Sequence, residues 1–396
     1  MNALATPAAV RDSRPLVVHI VFRLDYGGLE NGVVNLVNGL PSANLRHAIV
    51  ALTQASEFRR RIKRDDVHVF ELHKKPGKDP AAYLRLFRLL RKLRPAIVHT
   101  RNVGTIDCAA VAALAGVPTR IHGEHGWEIH DPDGKSPRGI AIRKLFGHFV
   151  QRFVALSRDI EQWLTDRVGI PQRKVQRICN GVDTSRFGLR TGGATARPAA
   201  IFPPDCVVVG SVTRFTEIKD PLNLVRAFID ARSRLAAAGP GAPDIRLMML
   251  GDGGLHREAL ALLEATGQAP YAWLPGSRDD VAALLAGIDL FVLGSKREGI
   301  SNTVLEAMAS GLPVIASATG GNLELVQPGV TGALVAPGDT RSLADAIVQY
   351  ACDAELRRAH GAAGRASVER NFSLARMLSD YAALYHSYCM RMGTAA

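Results

Sequence analysis

Cysteines are few in this sequence and lie far apart. The 396 residues include five of them, at positions 108, 179, 206, 352 and 389, and no two form a Cys-x-x-Cys pair. An odd, scattered set of this kind argues against a disulfide scaffold and against a zinc module. We therefore expect reduced thiols, as in a cytoplasmic protein.

Long apolar runs are also missing. The longest, residues 109–117, is much shorter than the roughly 20 residues that a membrane-spanning helix needs. No apolar run precedes Leu16, so we do not expect a secretory signal peptide and we predict a cytoplasmic location. Hydrophobic residues at 47%, charged residues at 22% and a mean hydropathy of +0.04 exclude wholesale disorder and fibrous folds.

The second half of the sequence lacks the excess of basic residues that the first half has. Residues 1–190 hold 31 Lys and Arg against 17 Asp and Glu, whereas residues 191–396 hold 18 against 20. The net charge of +12 therefore originates in the first half. This asymmetry predicts that the first half faces an anionic partner, either nucleic acid or a membrane surface.

Short apolar runs alternate with helical patterns along the whole chain. Six runs lie between residues 16 and 156 and six more between residues 207 and 335, with helical stretches between them. This alternation predicts an α/β protein of two doubly wound, Rossmann-like domains with parallel sheets. Ligands bind at the carboxyl ends of such strands, so we expect a cleft between the domains to be the site.

Composition suggests where the domains begin and end. Residues 1–14 are expected to form a disordered tail, residues 15–190 the N-terminal domain and residues 205–372 the C-terminal domain. Residues 191–204 are rich in Gly, Ala and Pro without apolar periodicity, which is typical of a linker. We expect a last helix, in residues 373–396, to pack back towards the N-terminal domain.

Two glutamates flank a predicted helix start in the second half. Glu298 and Glu306 stand eight residues apart in the stretch 294–324. Ser301 and Asn302 between them are good N-caps, and we predict a helix from about Thr303 with Glu306 in its first turn. The N-terminus of that helix would offer an anion site close to Glu298. Taken alone, Glu306 is equally compatible with ordinary stabilisation of the helix dipole.

Two basic residues follow the first strand of the second half. In the string VGSVTRFTEIKDP, Arg214 and Lys219 come between a strand end and a helix opened by Asp220 and Pro221. Two cations at the carboxyl end of a strand suit a diphosphate. Solvated surface residues are the alternative interpretation.

Five motifs in order resemble one known family, the retaining family 4 glycosyltransferases of the GT-B fold. They are the Gly-Gly loop after the first strand, a histidine after the fifth strand, an Asn-Gly-Val-Asp string, a basic pair, and Glu-x7-Glu followed by Ala-Met-Ala and Gly-Gly-x-x-Glu. In this sequence the motifs are Gly27-Gly28, His125, residues 180–183, Arg214 with Lys219, and residues 298–324. The resemblance extends over nearly the whole chain.

The resemblance implies roles for these residues. Arg214 and Lys219 would clamp the leaving nucleoside diphosphate, Glu306 would hold the ribose hydroxyls, and Glu298 and His125 would contact the donor sugar. Backbone N–H groups of Gly320, Gly321 and Asn322 would lie along the sugar and phosphate. The remaining donor-binding positions implied are Gly27, Gly28, Gly299, Ile300, Ser301, Asn302 and Thr303.

The sequence departs from the commonest family pattern at the sugar pocket. Ser301-Asn302-Thr303 replaces a more usual Gly-Leu-Val, Ile300 stands where Phe is common, and Asp220 stands where Gly is frequent. The first two changes leave the identity of the sugar open. The expected donor is a nucleotide sugar, which is a substrate, and no cofactor is implied.

The loop between the fifth strand and the next helix contains an Asp-x-Asp string, Asp131-Pro132-Asp133. In another large glycosyltransferase fold such a string binds a metal ion. Here Pro132 and Gly134 favour a turn, so we predict no metal site.

Two basic stretches account for the charged first half. Residues 59–64 read RRRIKR, and residues 80–94 form a helical pattern with Leu86, Leu89, Leu90 and Leu93 on one face and basic residues on another. A solvated basic face is one interpretation. The other is docking on the anionic inner face of the cytoplasmic membrane, near a glycan or lipid-linked acceptor.

The predicted function is transfer of a sugar from a nucleotide donor to an acceptor hydroxyl with retention, in exopolysaccharide or cell-envelope glycan synthesis. The same fold also carries sugar-nucleotide epimerases and phosphorylases, which remain alternatives. A nucleic-acid or other anionic-polymer binder lacks support, because no zinc spacing or RNP string is present. A nicotinamide oxidoreductase is disfavoured because Gly27-Gly28 is not a G-x-G-x-x-G fingerprint.

Overall fold

The computed structural model of the chain describes residues 14–127, 131, 133–189 and 197–393. The predicted N-terminal tail, except for residue 14, and residues 191–196 of the predicted linker lie outside the described residues. So do Glu128, His130 and Pro132 in the polar loop after the fifth strand.

Seven parallel strands form the first sheet. They are β1 Leu16–Val21, β2 Arg46–Ala51, β3 His68–Glu71, β4 Ile97–Arg101, β5 Thr119–Glu124, β6 Arg152–Ala155 and β7 Val175–Arg177. Their order across the sheet is β3-β2-β1-β4-β5-β6-β7, so the chain reverses direction across the sheet between β1 and β4. In sheets of this kind the point of reversal opens a crevice at the carboxyl ends of the strands.

Six parallel strands form the second sheet. They are β8 Val207–Val212, β9 Ile245–Leu250, β10 Ala272–Gly276, β11 Leu290–Leu293, β12 Val314–Ser317 and β13 Gly332–Val335. The order is β10-β9-β8-β11-β12-β13, with the same reversal next to the first strand of the set. The prediction of an α/β fold with two parallel sheets is confirmed.

Thirteen α-helices are found in the described part of the chain. They are α1 Gly28–Gly39, α2 Pro80–Leu93, α3 Cys108–Leu114, α4 Pro137–Phe146, α5 Arg158–Gln162, α6 Pro221–Ala237, α7 His256–Ala265, α8 Val281–Leu285, α9 Asn302–Ala309, α10 Asn322–Leu325, α11 Thr340–Cys352, α12 Ala354–Asn371 and α13 Leu374–Gly393. Several of their N-termini are capped by side-chain oxygens: Asp79 caps α2, Ser301 caps α9 and Asp339 caps α11.

Alternate residues of β1 pack into different cores. Val18 and Ile20 join a buried cluster with Leu86 and Leu90 of α2, whereas Val21 joins a second cluster with residues of α1. Successive side chains of a strand point to opposite faces of the sheet. Helices therefore cover both faces, as a doubly wound sheet requires.

The described chain packs as two compact units. One comprises Met1–Gly123, Ile142–Phe153 and Ala382–Ala396 within the described limits, and the other comprises Glu124–Ala141 and Val154–Tyr381. The domain boundaries expected from composition stay a prediction. In the first unit, Tyr385 of α13 lies 2.8 Å from the Nδ1 atom of His99 on β4.

Among the described strands and α-helices, three were not anticipated from the sequence: β7, α10 and α12. Strand β7 has only three residues and α10 only four, so neither gives a periodic signal. Helix α12 is long but carries Gly361 and Gly364 in place of an apolar stripe. A Cβ atom on Gly361 would lie 2.1 Å from the carbonyl oxygen of Gly311, so close backbone packing takes the place of apolar side chains there.

None of the described helices is both long enough and apolar enough to cross a membrane.

Candidate functional site

The loop from β11 to α9 leads directly into a capped helix N-terminus. Strand β11 ends at Leu293, and the Ser301 Oγ atom accepts a hydrogen bond of 3.3 Å from the backbone N–H of Val304. Helix α9 begins at Asn302, so its first free N–H groups face the loop that carries Glu298. The predicted helix is confirmed within one residue, and its N-terminus supplies partial positive charge.

Glu298 is held by two donors on a single oxygen. Its Oε1 atom accepts from Lys219 Nζ at 2.6 Å and from Ser295 Oγ at 2.7 Å. The residue is 6% exposed, and Oε2 has no donor within the described part of the chain. A nearly buried carboxylate of this kind is stabilised by the lysine, and its second oxygen keeps its capacity to accept a hydrogen bond.

Lys219 and Arg214 follow β8, but their surroundings differ. Lys219 is engaged with Glu298, a contact that the sequence interpretation did not anticipate. Arg214 is exposed, and across the described residues its guanidinium makes no ion pair. Of the two predicted cations, Arg214 is therefore the one that can meet an anion without first leaving a carboxylate.

Glu306 lies in the second turn of α9. It is the fifth residue of the helix, and the first turn carries no acidic residue. The prediction that Glu306 falls in the first turn is wrong, because the helix begins at Asn302 rather than Thr303. The dipole-stabilisation alternative loses its basis, since that effect is confined to the first turn.

The Ser301–Thr303 segment makes polar contacts that the family's usual residues could not make. Asn302 Oδ1 accepts from Asn180 Nδ2 at 2.7 Å, and the Ser301 and Thr303 hydroxyls are 3.2 Å apart. Ile300 is buried. Asn180 belongs to the Asn-Gly-Val-Asp string, so two of the motifs meet here.

Gly320 and Gly321 pack beneath the Glu298 loop. A Cβ atom on Gly320 would fall 1.9 Å from the Glu298 carbonyl oxygen, and one on Gly321 would fall 1.9 Å from that of Gly299. The Gly321 N–H donates to Gly299 at 2.7 Å and the Asn322 N–H donates to Thr319. The expectation that these two N–H groups lie along a ligand is therefore not met, because protein carbonyls occupy them.

His125 lies beside the Glu298 loop. It directly follows β5 and is half-buried. A Cβ atom built on Gly299 would be 3.2 Å from the His125 carbonyl oxygen and 3.1 Å from the Cα of Gly126. The structure thus brings the backbone at His125 against Gly299, the residue after Glu298, although His125 and Glu298 lie 173 positions apart in the sequence.

The Asp-x-Asp string is engaged in a turn. Asp131 accepts from the backbone N–H groups of Lys135 and Ser136, at 2.8 and 3.1 Å. Asp133 pairs with Arg297 and Lys135, and the Arg297 guanidinium lowers the pKa of that carboxyl below its usual value. No group of three or more metal-ligating side chains occurs among the described residues.

Two family models together match most of the chain. The model described as Glycosyltransferase Family 4 matches residues 26–186, and the model described as Glycosyl transferases group 1 matches residues 203–353. The chain belongs to this family of glycosyltransferases.

Two bacterial proteins are among the relatives of this glycosyltransferase. It is 30% identical to the N-acetyl-alpha-D-glucosaminyl L-malate synthase of Bacillus anthracis, with 54% of each chain aligned. It is 27% identical to the UDP-Gal:alpha-D-GlcNAc-diphosphoundecaprenol alpha-1,3-galactosyltransferase of Escherichia coli, over 70% of this chain and 72% of that one. The alignment with the first of these spans about half the length of the relative.

A solved structure shares the fold over nearly the full chain. Anabaena Alr3699/HepE in complex with UDP and glucose superposes with a TM-score of 0.78 at 18% identity, covering 94% of this chain and 99% of that one. At this identity the comparison supports the GT-B fold alone.

In the other compact unit, Gly27 and Gly28 lie at the start of α1. Gly27 is the N-cap residue, and a Cβ atom on it would fall 2.2 Å from the Glu30 carboxylate. The Glu30 side chain folds back over the helix start into the space that a side chain at position 27 would occupy. The predicted approach of this loop to a ligand of the glycosyltransferase remains a prediction.

The two basic stretches of the glycosyltransferase do not form one surface. Leu86 and Leu90 anchor α2 in the cluster of Ile20, whereas Phe58, in the turn Glu57–Arg61, joins the cluster of Val21 on the opposite face of the sheet.

Within the first stretch, Arg64 faces inwards. It donates to both carboxylate oxygens of Asp66, at 2.7 and 2.8 Å, and to the carbonyl oxygens of Val37 and Leu40. The expectation of a continuous basic patch over residues 59–64 is therefore corrected to the exposed residues Arg59, Arg60, Arg61 and Lys63.

Sequence reasoning missed three residues of the site: Ser295, Asn180 as a partner of Asn302, and Arg297. Ser295 stands three residues before Glu298, and this spacing was the only local signal. The other two contacts join residues more than 120 positions apart, for which a single sequence offers no signal.

Proposed function

We propose that this glycosyltransferase moves a hexose from a nucleoside diphosphate sugar to an acceptor hydroxyl, with retention of anomeric configuration, in the assembly of a bacterial envelope glycan or exopolysaccharide. The observation that supports this most is the shared location of Glu298, Lys219, Arg214 and the α9 N-terminus at the carboxyl ends of β8 and β11. This location is where parallel sheets bind ligands.

In the proposed reaction, the bond between the anomeric carbon and the diphosphate oxygen breaks as the acceptor oxygen bonds to the same face of that carbon. The departing phosphate oxygen accepts the proton of the acceptor hydroxyl. No protein nucleophile takes part. The protein contributes stabilisation of the negative charge that grows on the diphosphate.

Arg214 and the N-terminus of α9 supply that stabilisation in the proposal. Arg214 is exposed and without a carboxylate partner in the described structure, and α9 presents free N–H groups. Lys219 contributes while it remains paired with Glu298, which makes the pair neutral overall. The net positive charge at the diphosphate therefore comes mainly from Arg214 and the helix.

Glu298 is proposed to bind a hydroxyl of the donor sugar through Oε2, while Lys219 and Ser295 keep Oε1. His125, beside the same loop, is proposed to contact the outer hydroxyl of that sugar. Glu306, in the second turn of α9, is proposed to hold the ribose. The loop at Gly27 and Gly28 is proposed to meet the diphosphate or the acceptor.

A UDP-sugar is the donor that we would test first, because the E. coli relative is named for UDP-Gal and the Anabaena structure contains UDP. The same relative is named for a lipid diphosphate acceptor, which supports a lipid-linked glycan as acceptor here. A protein with this acceptor would work at the cytoplasmic face of the membrane as a peripheral protein.

Contact with an anionic membrane is proposed for the exposed residues Arg59, Arg60 and Arg61. Tyr26 is 62% exposed, and the Arg61 guanidinium lies 5.5 Å from the centre of its ring. Basic side chains next to an exposed aromatic ring are typical of surfaces that bind the headgroup region of a bilayer.

The test of the proposed function is a thermal-shift panel with UDP-, GDP- and ADP-sugars, followed by turnover with the donor that binds. A ligand at 100 times its Kd stabilises the folded state by about 2.7 kcal/mol, which shifts the melting temperature by several degrees. We expect one nucleotide class to stand out. No shift with any of the three, together with no release of nucleotide, would refute the proposal.

A further inference from the structure

We propose that Arg297 is a positioning residue, whose ion pair with Asp133 keeps the loop of Glu298 aligned with the loop of His125. The inference rests on the proposed function, because it takes these two loops to hold the donor sugar. Arg297 lies outside the Glu-x7-Glu string and outside the residues to which the family resemblance assigns a role.

Arg297 makes a specific contact across the two loops. Its Nε and Nη2 atoms both donate to the Oδ1 atom of Asp133, the former at 3.1 Å. The guanidinium also lies 5.8 Å from the ring centre of Trp127, two residues after His125. Arg297 thus contacts the His125 loop at both Trp127 and Asp133, while its backbone leads into Glu298.

Asp133 stands on a rigid turn. The carbonyl oxygen of the next residue, Gly134, accepts from the buried Trp163 Nε1 atom at 2.8 Å. Trp127 and Trp163 pack edge to face with ring centres 5.4 Å apart, and a Cβ atom on Gly134 would collide with both rings. Ordering the aspartate therefore costs little when the ion pair forms.

Such a pair is not explained by stability alone. The side chains of Arg297 and Asp133 are 31% and 45% exposed, and surface ion pairs contribute only about 0–1 kcal/mol to folding. Its location is more informative. The residue before Glu298 is tied to the His125 loop by a side chain, and the residue after it, Gly299, by close backbone approach.

Loss of this alignment would affect the reaction more than the fold. Displacing a substrate-holding group by about 1 Å can reduce turnover roughly a hundredfold. The carboxylate of Glu298 would still be held by Lys219 and Ser295, so donor affinity would change little. The expected signature of a positioning role is therefore a lower kcat at a nearly unchanged donor Kd.

The experiment compares Arg297→Ala, Asp133→Ala, the double variant and Lys135→Ala. Lys135 is the matched control, because its Nζ atom lies 3.5 Å from the other oxygen of Asp133 and is not connected to Glu298. We expect kcat to fall tenfold or more in both single variants and in the double variant, without additivity. Lys135→Ala should stay within twofold of wild type.

A variant in which the two charges of the ion pair are exchanged gives a stricter test of the positioning role. The variant Arg297→Asp with Asp133→Arg should recover at least a third of wild-type kcat, while each single reversal should lose more than the alanine variants. A kcat for Arg297→Ala within twofold of wild type, additive losses in the double variant, or an equal loss in Lys135→Ala would each overturn the proposal.

A measurement without turnover separates this inference from the proposed function. Trp127 lies beside Arg297, so Arg297→Ala should shift tryptophan emission, whereas Lys135→Ala should not. If the wild type turned over no nucleotide sugar, the proposed function would fail while this emission still reported on the ion pair. Unchanged emission in Arg297→Ala would show that the pair is absent in solution.

Discussion

The two sheets of this glycosyltransferase place their ionisable residues differently. In the six-stranded sheet, Lys219 and Glu298 lie in loops at the carboxyl ends of the strands, where a ligand would meet them. In the seven-stranded sheet, His19, His47, His99 and Arg101 lie inside the strands themselves and are buried. Two sheets of similar architecture therefore differ: one carries the candidate site in its loops, and the other encloses a layer of buried polar side chains.

The buried layer has a defined proton arrangement. Arg101 can only donate, and its Nη2 atom lies 3.1 Å from His19 Nδ1, so the proton of His19 is on Nε2. That nitrogen lies 3.0 Å from His47 Nδ1, which must accept in turn. A second proton on His47 would place its Nδ1–H against the Nε2–H of His19. A second proton on His19 would place its Nδ1–H against the Arg101 guanidinium. The hydrogen bonds of this buried layer therefore require neutral histidines, whereas the contact between Lys219 and Glu298 in the site loops is an ion pair.

The largest expected effect on stability is that of a glycine substitution in the loops of the candidate site. Gly321→Ala would place a methyl group 1.9 Å from the Gly299 carbonyl oxygen, a clash with backbone that cannot move aside cheaply. We expect the free energy of unfolding to fall by about 3 kcal/mol or more, measured by urea denaturation. Gly254→Ala, whose Cβ would enter open space, is the control and should leave stability within 0.5 kcal/mol, roughly the surface average.

Acid should weaken the interior. Burial lowers the pKa of His19 well below its ordinary value, with Arg101 adding to the effect, and burial lowers the pKa of His47 to about 4. The unfolded chain therefore binds protons first as pH falls. The stability from neutral His47 is complete above about pH 6.5 and is lost towards pH 4, by about 3 kcal/mol in all.

Urea denaturation at pH 7.5, 6 and 5 measures this loss. His47→Gln keeps an acceptor for His19 but does not titrate, so its stability should fall less steeply with pH than that of the wild type. Parallel pH profiles for the two proteins would show that the imidazole of His47 titrates normally and would contradict the contrast between the two sheets.

Charge removal at the site should affect rate rather than fold. Glu298→Gln and Glu306→Gln should each fold normally and lose tenfold or more in turnover, because a charged hydrogen bond contributes about 1.5–3 kcal/mol. Glu217→Gln is the control, since this exposed carboxylate lies in the segment between Arg214 and Lys219. The expectation is tested by measuring initial rates with the donor that the thermal-shift panel identifies. Turnover near the wild-type value in both variants would contradict it.

A weaker effect is expected at the surface of the seven-stranded sheet. Changing Arg59, Arg60 and Arg61 to Ser should reduce co-sedimentation with phosphatidylglycerol vesicles several-fold at low salt, since each basic residue contributes about 1 kcal/mol there. Arg64 is left unchanged because its side chain holds Asp66 and two carbonyl groups. Equal co-sedimentation with neutral and anionic vesicles would show that these arginines are solvated surface residues that do not bind the membrane.

The smallest expected effect is that of metal removal. The carboxylates of Asp131 and Asp133 are already engaged by backbone N–H groups and by Arg297 and Lys135. We expect turnover after exhaustive EDTA treatment to stay within twofold of the untreated enzyme. Loss of turnover that only Mn²⁺ or Mg²⁺ restores would show that the site needs a metal ion after all.

Local sequence patterns predicted most of the strands and helices of the fold. Apolar runs such as residues 245–250 and 290–293 coincide with β9 and β11, because buried parallel strands need continuous apolar residues. Ser301 was recognisable as a cap because capping involves only a few neighbouring residues. Helix α12 was missed because it packs through Gly361 rather than through an apolar stripe.

The sequence by itself determined the class of fold, the start of α9 to within one residue and the set of residues that resemble the family's motifs. Only the tertiary structure decided their partners: Lys219 with Glu298, Arg297 with Asp133, and Arg101 with His19. The physical reason is range. Secondary structure follows from interactions within a few residues, whereas these pairs join residues 79 or more positions apart, so strand order and helix packing determine whether they meet.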